Sequence, residues 1–155
     1  MLKRKLKVLF LCTGNSCRSQ MAEGWTKHLK KDVIEAYSAG IETHGLNPDA
    51  ATVMAEAGVD ISSQKSQLLE EFQDVEFDYV VTVCARAHDT CPVFSGNAEV
   101  FHVGFDDPPR LAKTTATRSA ALDCYRRVRD EIRKFVETLP GALINNRQKG
   151  KIDNE

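Results

Sequence analysis

An α/β fold is predicted, in which helices pack on both faces of a four-stranded parallel sheet to form a three-layer sandwich. Short apolar runs of strand length alternate along the chain with stretches in which apolar residues recur every three or four positions. Gly and Pro residues separate these stretches, as they do at turns. In a sheet of this kind ligands bind at the carboxyl ends of the strands, so residues that directly follow a strand are candidates for a functional site.

The first half of the chain predicts two strands and two helices. Residues 6–11 are apolar apart from one lysine, which is typical of a buried parallel strand. Residues 19–30 follow as a helix, because their apolar residues share one face and basic residues gather at the C-terminal end. A second short strand is predicted at 33–38. The next helix, at 48–57, begins with a proline and is capped by Asn47.

The second half of the chain predicts two further strands and a long helix. A short helix at 66–72 precedes the strand at 78–84, whose Tyr-Val-Val-Thr-Val core is rich in β-formers. Another strand is expected at 99–103. The helix at 117–139 places a continuous apolar stripe on one face, and that stripe should cover the sheet.

Length and composition predict one α/β domain over residues 1–139 and a flexible tail over 140–155, where apolar periodicity ends. The 21 Lys and Arg residues against 22 Asp and Glu residues give a net charge of −1, which excludes a global basic field for nucleic acid or anionic membrane. The apolar run near the N-terminus is too short for a signal peptide, and no run approaches transmembrane length. We therefore expect a cytoplasmic monomer with neither nucleic-acid nor membrane partners.

The cysteine pattern favours nucleophilic or redox chemistry. Five cysteines at irregular spacing do not form a secreted disulfide framework. There is no Cys-x-x-Cys pair and the four histidines form no ligand-spaced cluster, so no metal site is predicted. The cysteines are Cys12, Cys17, Cys84, Cys91 and Cys124. Cys84, like Cys12, ends a predicted strand, so these two can be neighbours despite their separation in sequence.

Cys12 is the candidate nucleophile. It ends the first strand, and Arg18 follows six positions later at the start of a helix. Backbone N–H groups, the helix dipole and the guanidinium would favour its thiolate and bind a tetrahedral oxyanion. Asn15 tolerates left-handed backbone and should order the loop, whereas Cys17 should pack inward. The predicted oxyanion-binding residues are Thr13, Gly14, Asn15, Ser16, Cys17, Arg18 and Ser19, the last either a plain helix cap or a donor to the Cys12 thiolate.

The string from Phe10 to Trp25, FLCTGNSCRSQMAEGW, resembles the thioredoxin-coupled arsenate reductases built on the low-molecular-weight protein tyrosine phosphatase fold. Later stretches carry the same resemblance, in the expected order and over nearly the whole chain. They are YSAGI at 37–41 with HGLNP at 44–48, VVTVC at 80–84 with CP at 91–92, and GFDDP at 104–108.

The resemblance implies that arsenate is reduced to arsenite, in arsenic detoxification, by a relay of Cys12, Cys84 and Cys91. Arg18 would bind the oxyanion, for which phosphate or sulfate are analogues, and Asp107 would protonate the departing oxygen. Asp107 is preferred to Asp106 because the family's acid directly precedes the proline. The resemblance further implies that external thioredoxin is the reductant and that no cofactor is bound.

Two other functions stay open at this point. A low-molecular-weight protein tyrosine phosphatase would use Cys12, Arg18 and Asp107 but give no role to the other two cysteines, and weak phosphatase activity is expected in either case. A non-catalytic thiol sensor would not need Asp107. Some of these reductases hold potassium beside the anion loop; here Lys65 stands in place of one ligand, and its ammonium is expected to replace the ion by compensating Glu23.

Overall fold

The computed structural model describes residues 4–89 and 98–145. The strands and helices in chain order are β1 (Leu6–Cys12), α1 (Arg18–Leu29), β2 (Ile34–Gly40), α2 (Pro48–Glu56), a 3₁₀ helix (Leu69–Phe72), β3 (Tyr79–Thr82), α3 (Ala85–Asp89), β4 (Glu99–His102), α4 (Pro108–Ala112) and α5 (Arg118–Glu137). None of the helices in these two ranges is long and apolar enough to cross a membrane.

The predicted four-stranded parallel sheet is confirmed. Its strand order is β2-β1-β3-β4, and every neighbouring pair is parallel. Strand β1 lies between β2 and β3, so the residues that follow it are flanked by the ends of both neighbours. The candidate nucleophile therefore lies at the middle of the sheet's carboxyl edge, where a ligand is expected.

Helices α1, α2 and α5 pack against one another on one face of the sheet. Ser38 of β2 points to this face, since it donates to Glu23 of α1. Trp25 of α1 is buried there, and its indole N–H donates to the Arg129 carbonyl of α5 at 3.1 Å. On the opposite face Tyr37 packs edge to face with Phe72 of the 3₁₀ helix and with Phe77. The sheet is thus covered on both sides at β2.

Two of the predicted helix starts are confirmed in detail. Asn47 caps α2, because its side-chain oxygen accepts from the backbone N–H groups of Asp49 and Ala50 at 2.8 and 3.1 Å. Thr117 caps α5 in the same way, accepting from the Ala120 N–H at 3.0 Å. Both caps follow from residue types that prefer this position, so local sequence was enough to locate them.

Other boundaries differ from the predictions for physical reasons. Strand β3 begins after Asp78, whose carboxylate instead accepts from the Lys7 backbone N–H at 2.7 Å. The helix expected at 66–72 is reduced to the 3₁₀ turn. Helix α4 was not predicted, since its Pro-Pro start favours a turn, yet the first proline occupies a position where no N–H is needed.

Helical structure continues past residue 139, where the sequence analysis places the domain boundary. Residues 141–145 are helical and Leu143 is buried in the core, so the ordered chain continues past Pro140. An apolar side chain at this position is held by the burial that it gains, which a periodicity argument over so short a segment misses. The rest of the predicted tail, 146–155, lies outside the described residues.

Candidate active site

The loop between β1 and α1 surrounds a cavity of about 370 Å³. Cys12 lies at its base, and Gly14, Ser16 and Arg18 line its wall. The backbone of Asn15 is left-handed, with φ of 47°, which turns the loop back toward the helix. The predicted left-handed position is therefore where the structure has it, and the loop residues line a cavity large enough to admit a tetrahedral anion.

Arg18 is held so that part of its guanidinium faces this cavity. One amino group donates to the Phe105 carbonyl at 3.0 Å, and the other lies 3.6 Å from an Asp107 oxygen. The remaining donor, Nε, is buried without a hydrogen-bond partner among the described residues. Since a buried unsatisfied donor is costly, the arrangement is suited to an anion that accepts from it.

Asn15 orders the loop through its side chain, as predicted. Its amide nitrogen donates to Ser19 and Ser38 at 2.9 Å each, and its oxygen accepts from the Gln67 backbone N–H at 2.7 Å. Ser38 passes the chain of bonds on to the buried carboxylate of Glu23 at 2.5 Å. These bonds fix the loop to β2 and to the segment before the 3₁₀ helix.

Ser19 does not cap α1. The N-cap of that helix is Cys17, which makes no side-chain capping bond, and Ser19 lies inside the first turn as an acceptor for Asn15. The cap interpretation is therefore wrong, because the helix starts one residue earlier than predicted. Cys17 packs inward as expected, and burial raises the pKa of its thiol.

Cys84 is brought beside Cys12, as the adjacent strands predict. Both are buried, and the Thr13 hydroxyl lies 3.2 Å from the Cys84 sulfur. The contact with Cys84 and burial raise the pKa of Cys12. The contact with Cys12, helped by the Thr13 hydroxyl and the Ala87 N–H, lowers the pKa of Cys84. The two thiols therefore titrate as a coupled pair, in which Arg18 and the Thr13 N–H act in the opposite sense and lower the pKa of Cys12.

The other two cysteines are outside this pair. Cys124 is half-buried on α5, where its thiol donates to the Ala120 carbonyl at 3.5 Å. The residue proposed to complete the relay, Cys91, lies outside the described residues. The described chain therefore accounts for two of the three sulfurs that the sequence singled out.

Asp107 faces the cavity and Asp106 does not. Asp107 lines the cavity with an extended backbone, as its position before a proline predicts. Asp106 instead pairs with Arg127 of α5 at 3.0 Å. The neighbouring carboxylates are thereby separated in direction, and only Asp107 lies where a proton could be delivered to a bound anion.

The mouth of the cavity carries charged residues that the sequence analysis missed. Glu42 pairs with Arg86 at 3.0 Å and with His44 at 2.8 Å, and those contacts lower the pKa of the Glu42 carboxyl. The His44 ring lies against Gly14, where a Cβ atom would be only 2.3 Å from its Nδ1. No local signal identifies the Glu42–Arg86 contact, because these two residues are 44 positions apart and meet only when α3 lies beside the loop that follows β2.

The partner expected for Glu23 was wrong. Its carboxylate pairs with Lys27, one turn further along α1, whereas Lys65 is exposed and contributes its backbone carbonyl as an acceptor for Gln20. The correct lysine stands four residues after the glutamate, a spacing that favours ion pairs on a helix. In the described part of the chain no group of three or more His, Cys, Asp or Glu side chains could hold a metal ion.

Comparison with known proteins shows which proteins share this architecture. Residues 7–149 match the family of low molecular weight phosphotyrosine protein phosphatases. An arsenate reductase of Halalkalibacterium halodurans is 50% identical over 134 residues, covering 86% of this chain and 94% of the relative. An arsenate reductase of Bacillus subtilis is 48% identical over 135 residues, covering 84% and 95%.

Solved structures agree in fold. An arsenate reductase in its oxidized state aligns with a TM-score of 0.70 and 33% identity, covering 86% of this chain and 95% of that one. A low molecular weight protein tyrosine phosphatase from T. tengcongensis aligns with a TM-score of 0.66 and 25% identity, covering 87% and 97%. Reductases and phosphatases therefore share the sheet and helices described above.

Proposed function

This chain belongs to the low molecular weight phosphotyrosine protein phosphatase family, and within it we propose that the chain is an arsenate reductase, converting arsenate to arsenite. The observation that carries the proposal is the contact between two buried cysteines: Cys12, which lines the anion cavity, and Cys84, which lines a second cavity. Cleavage of a phosphate ester needs one thiolate, whereas reduction of As(V) to As(III) needs two electrons, which two thiols supply when they form a disulfide.

Substrate binding would use the loop amides and Arg18. The unsatisfied Nε donor and the backbone N–H groups of residues 13–18 would donate to the oxygens of arsenate, with the guanidinium compensating its charge. Phosphate has the same shape and charge and should compete for this cavity. A bound phosphate has been described for one structurally similar arsenate reductase.

The first chemical step would form a bond between the Cys12 sulfur and arsenic. Cys12 would attack as the thiolate, favoured by Arg18 and the Thr13 N–H, after its proton has gone to solvent. Protonated Asp107 gives its proton to the departing oxygen, which leaves as water. Arsenic remains As(V) at this stage, because one sulfur–arsenic bond has replaced one oxygen–arsenic bond.

The second step would be the reduction itself. Cys84 loses its proton to solvent and attacks the Cys12 sulfur as a thiolate; a sulfur–sulfur bond forms, the sulfur–arsenic bond breaks, and its electron pair leaves with arsenic as arsenite. The hydroxyl of Thr13 at 3.2 Å would hold the Cys84 thiolate in place for this attack. Two thiols are oxidised and one As(V) is reduced, so the electrons balance.

The third step would carry the disulfide to the surface. Cys91 attacks Cys84, releases the Cys12 thiolate and leaves a Cys84–Cys91 disulfide, which external thioredoxin reduces. A helix continued from α3 would place residues seven apart about 10 Å from each other, but a disulfide needs Cα atoms within about 7 Å. If residues 85–91 are helical in the reduced enzyme, α3 would have to rearrange when this disulfide forms. A reducing cytoplasm, with the protein acting as a monomer, fits this use of thiols.

Phosphatase activity is the second candidate, supported by the family match and by a cavity lined by the nucleophile Cys12, by Arg18 and by the acid Asp107. We expect it to be weak. It would require Cys12 and leave the remaining cysteines without a role.

The test is steady-state arsenite production with thioredoxin, thioredoxin reductase and NADPH. Cys12→Ser, Cys84→Ser and Cys91→Ser should each fall to the uncatalysed background. Cys124→Ser, which changes a half-buried thiol away from the cavity, is the matched control and should turn over normally. Hydrolysis of an aryl phosphate should be lost only with Cys12→Ser. Normal arsenite production by Cys84→Ser would overturn the relay.

A further inference from the structure

The charged cluster at the cavity mouth has no part in the chemistry described so far. Glu42 lies at its centre, with one carboxylate oxygen 3.0 Å from Arg86 and the other 2.8 Å from His44. Arg86 and His44 both line the anion cavity, and Arg86 also borders a second cavity that reaches Cys84. The cluster thus lies between solvent and the two cavities that Cys12 and Cys84 line.

Glu42 is fixed to the anion loop by the backbone. Its N–H donates to the Thr13 carbonyl at 2.8 Å, and the N–H of His44 donates to the Gly14 carbonyl at 2.9 Å. Two consecutive loop residues are therefore hydrogen-bonded to the segment that carries the carboxylate. A side chain that pairs with Glu42 is therefore also held close to the anion loop that follows Cys12.

Arg86, the partner of Glu42, belongs to helix α3. This helix begins directly after Cys84 and buries Ala87 completely. The Ala87 N–H is one of the groups that lower the pKa of Cys84, so the position of α3 affects the thiol itself. The Glu42–Arg86 ion pair consequently joins the helix that follows one redox cysteine to the loop that follows the other.

We propose that Arg86 is a positioning residue, whose ion pair with Glu42 holds α3 against the anion loop and keeps Cys84 beside Cys12 in the reduced enzyme. The inference rests on the proposed relay, in which α3 would have to rearrange to form the Cys84–Cys91 disulfide. An interaction present only while α3 is docked stabilises the dithiol form relative to the disulfide form. Weakening the ion pair should therefore favour the disulfide.

A competing interpretation makes Arg86 a direct anion ligand, since it lines the same cavity. The two interpretations differ in what happens when Glu42 is neutralised. If Arg86 acts on the anion, Arg86→Ala should weaken phosphate binding and Glu42→Gln should strengthen it. If Arg86 acts through Glu42, both changes should move the thiol–disulfide equilibrium in the same direction. Loss of the His44 contact in Glu42→Gln does not touch α3.

The experiment equilibrates the full-length protein with a dithiothreitol redox buffer and counts free thiols by alkylation and mass spectrometry. Arg86→Ala and Glu42→Gln should each shift the equilibrium toward the Cys84–Cys91 disulfide by about threefold, as expected for a solvent-exposed ion pair. Arg86→Lys keeps the charge and should stay near wild type. Phosphate affinity should change by less than about twofold in all three.

Arg4→Ala is the matched control. Arg4 is 65% exposed against 62% for Arg86, and its 2.9 Å ion pair with Asp78 lies at the opposite end of the sheet. It should leave the equilibrium unchanged. An Arg86→Ala equilibrium equal to wild type, or opposite shifts in Arg86→Ala and Glu42→Gln, would overturn the inference. If the wild-type protein forms no Cys84–Cys91 disulfide, both the proposed relay and this inference are contradicted.

Discussion

Replacing Asn15 by alanine tests how the anion loop is held. The Asn15 side chain donates to Ser19 and Ser38 and accepts from the Gln67 N–H, all at 2.7 to 2.9 Å. It is completely buried, so water cannot take over these bonds. Its backbone is also left-handed, a conformation that alanine adopts only at a cost.

The expected loss of stability follows from these contacts. Leaving the Gln67 N–H without its acceptor costs about 1 to 3 kcal/mol, and losing the two donated bonds costs about 1 kcal/mol more. Left-handed backbone at alanine adds about 1 kcal/mol. The free energy of unfolding should therefore fall by about 3 to 5 kcal/mol, which corresponds to roughly 10 °C in Tm for a chain of this size.

Urea unfolding monitored by the single tryptophan is a suitable assay, because Trp25 is buried on α1 directly behind the loop. Asn15→Gly is the matched variant: it loses the same bonds without the backbone strain and should be about 1 kcal/mol more stable than Asn15→Ala. A loss below about 1 kcal/mol in Asn15→Ala would refute the reasoning, as would equal stabilities of the two variants.

Two further predictions concern residues around the loop. Lys27→Met should lower the free energy of unfolding by about 1 to 2 kcal/mol, a value discounted for the half-exposed lysine, because buried Glu23 loses its cation; Lys65→Met should change it by less than about 0.5 kcal/mol. If urea titrations show a larger loss of stability in Lys65→Met than in Lys27→Met, the assignment of Lys27 as the partner of Glu23 is contradicted. Gly14→Ala should weaken phosphate binding about tenfold, since its methyl group displaces the His44 ring. The double variant Gly14→Ala/His44→Ala should recover most of that affinity by isothermal titration, and a single variant with wild-type affinity would show that the ring position does not matter.

Features encoded in neighbouring residues could be predicted from the sequence. The left-handed Asn15, the Asn47 cap and the extended Asp107 each depend on one residue type and its immediate neighbours. The approach of Cys84 to Cys12 could also be predicted, because both end strands of a parallel sheet and β1 pairs with β3. Hydrophobic periodicity and sheet topology together were sufficient to predict this long-range contact.

Features that depend on which side chains of different helices, strands and loops meet could not be predicted from the sequence. Glu42 and Arg86 are 44 residues apart and come together only through the docking of α3, which no periodicity reveals. The charge on the cysteine pair depends on burial and on the Thr13 and Ala87 donors, which sequence does not show. The Lys27 partner of Glu23 could have been predicted, because an i, i+4 spacing on a helix favours an ion pair.

The close approach of the Cys12 and Cys84 sulfurs also bears on survival under oxidative stress. Peroxide that reached Cys12 would convert it to a sulfenic acid, and further oxidation would destroy the residue irreversibly. With Cys84 in contact, the sulfenic acid condenses with its neighbour instead, releasing water and leaving a disulfide that a dithiol can reduce. The pair thus confines accidental oxidation to a state that the cell can repair.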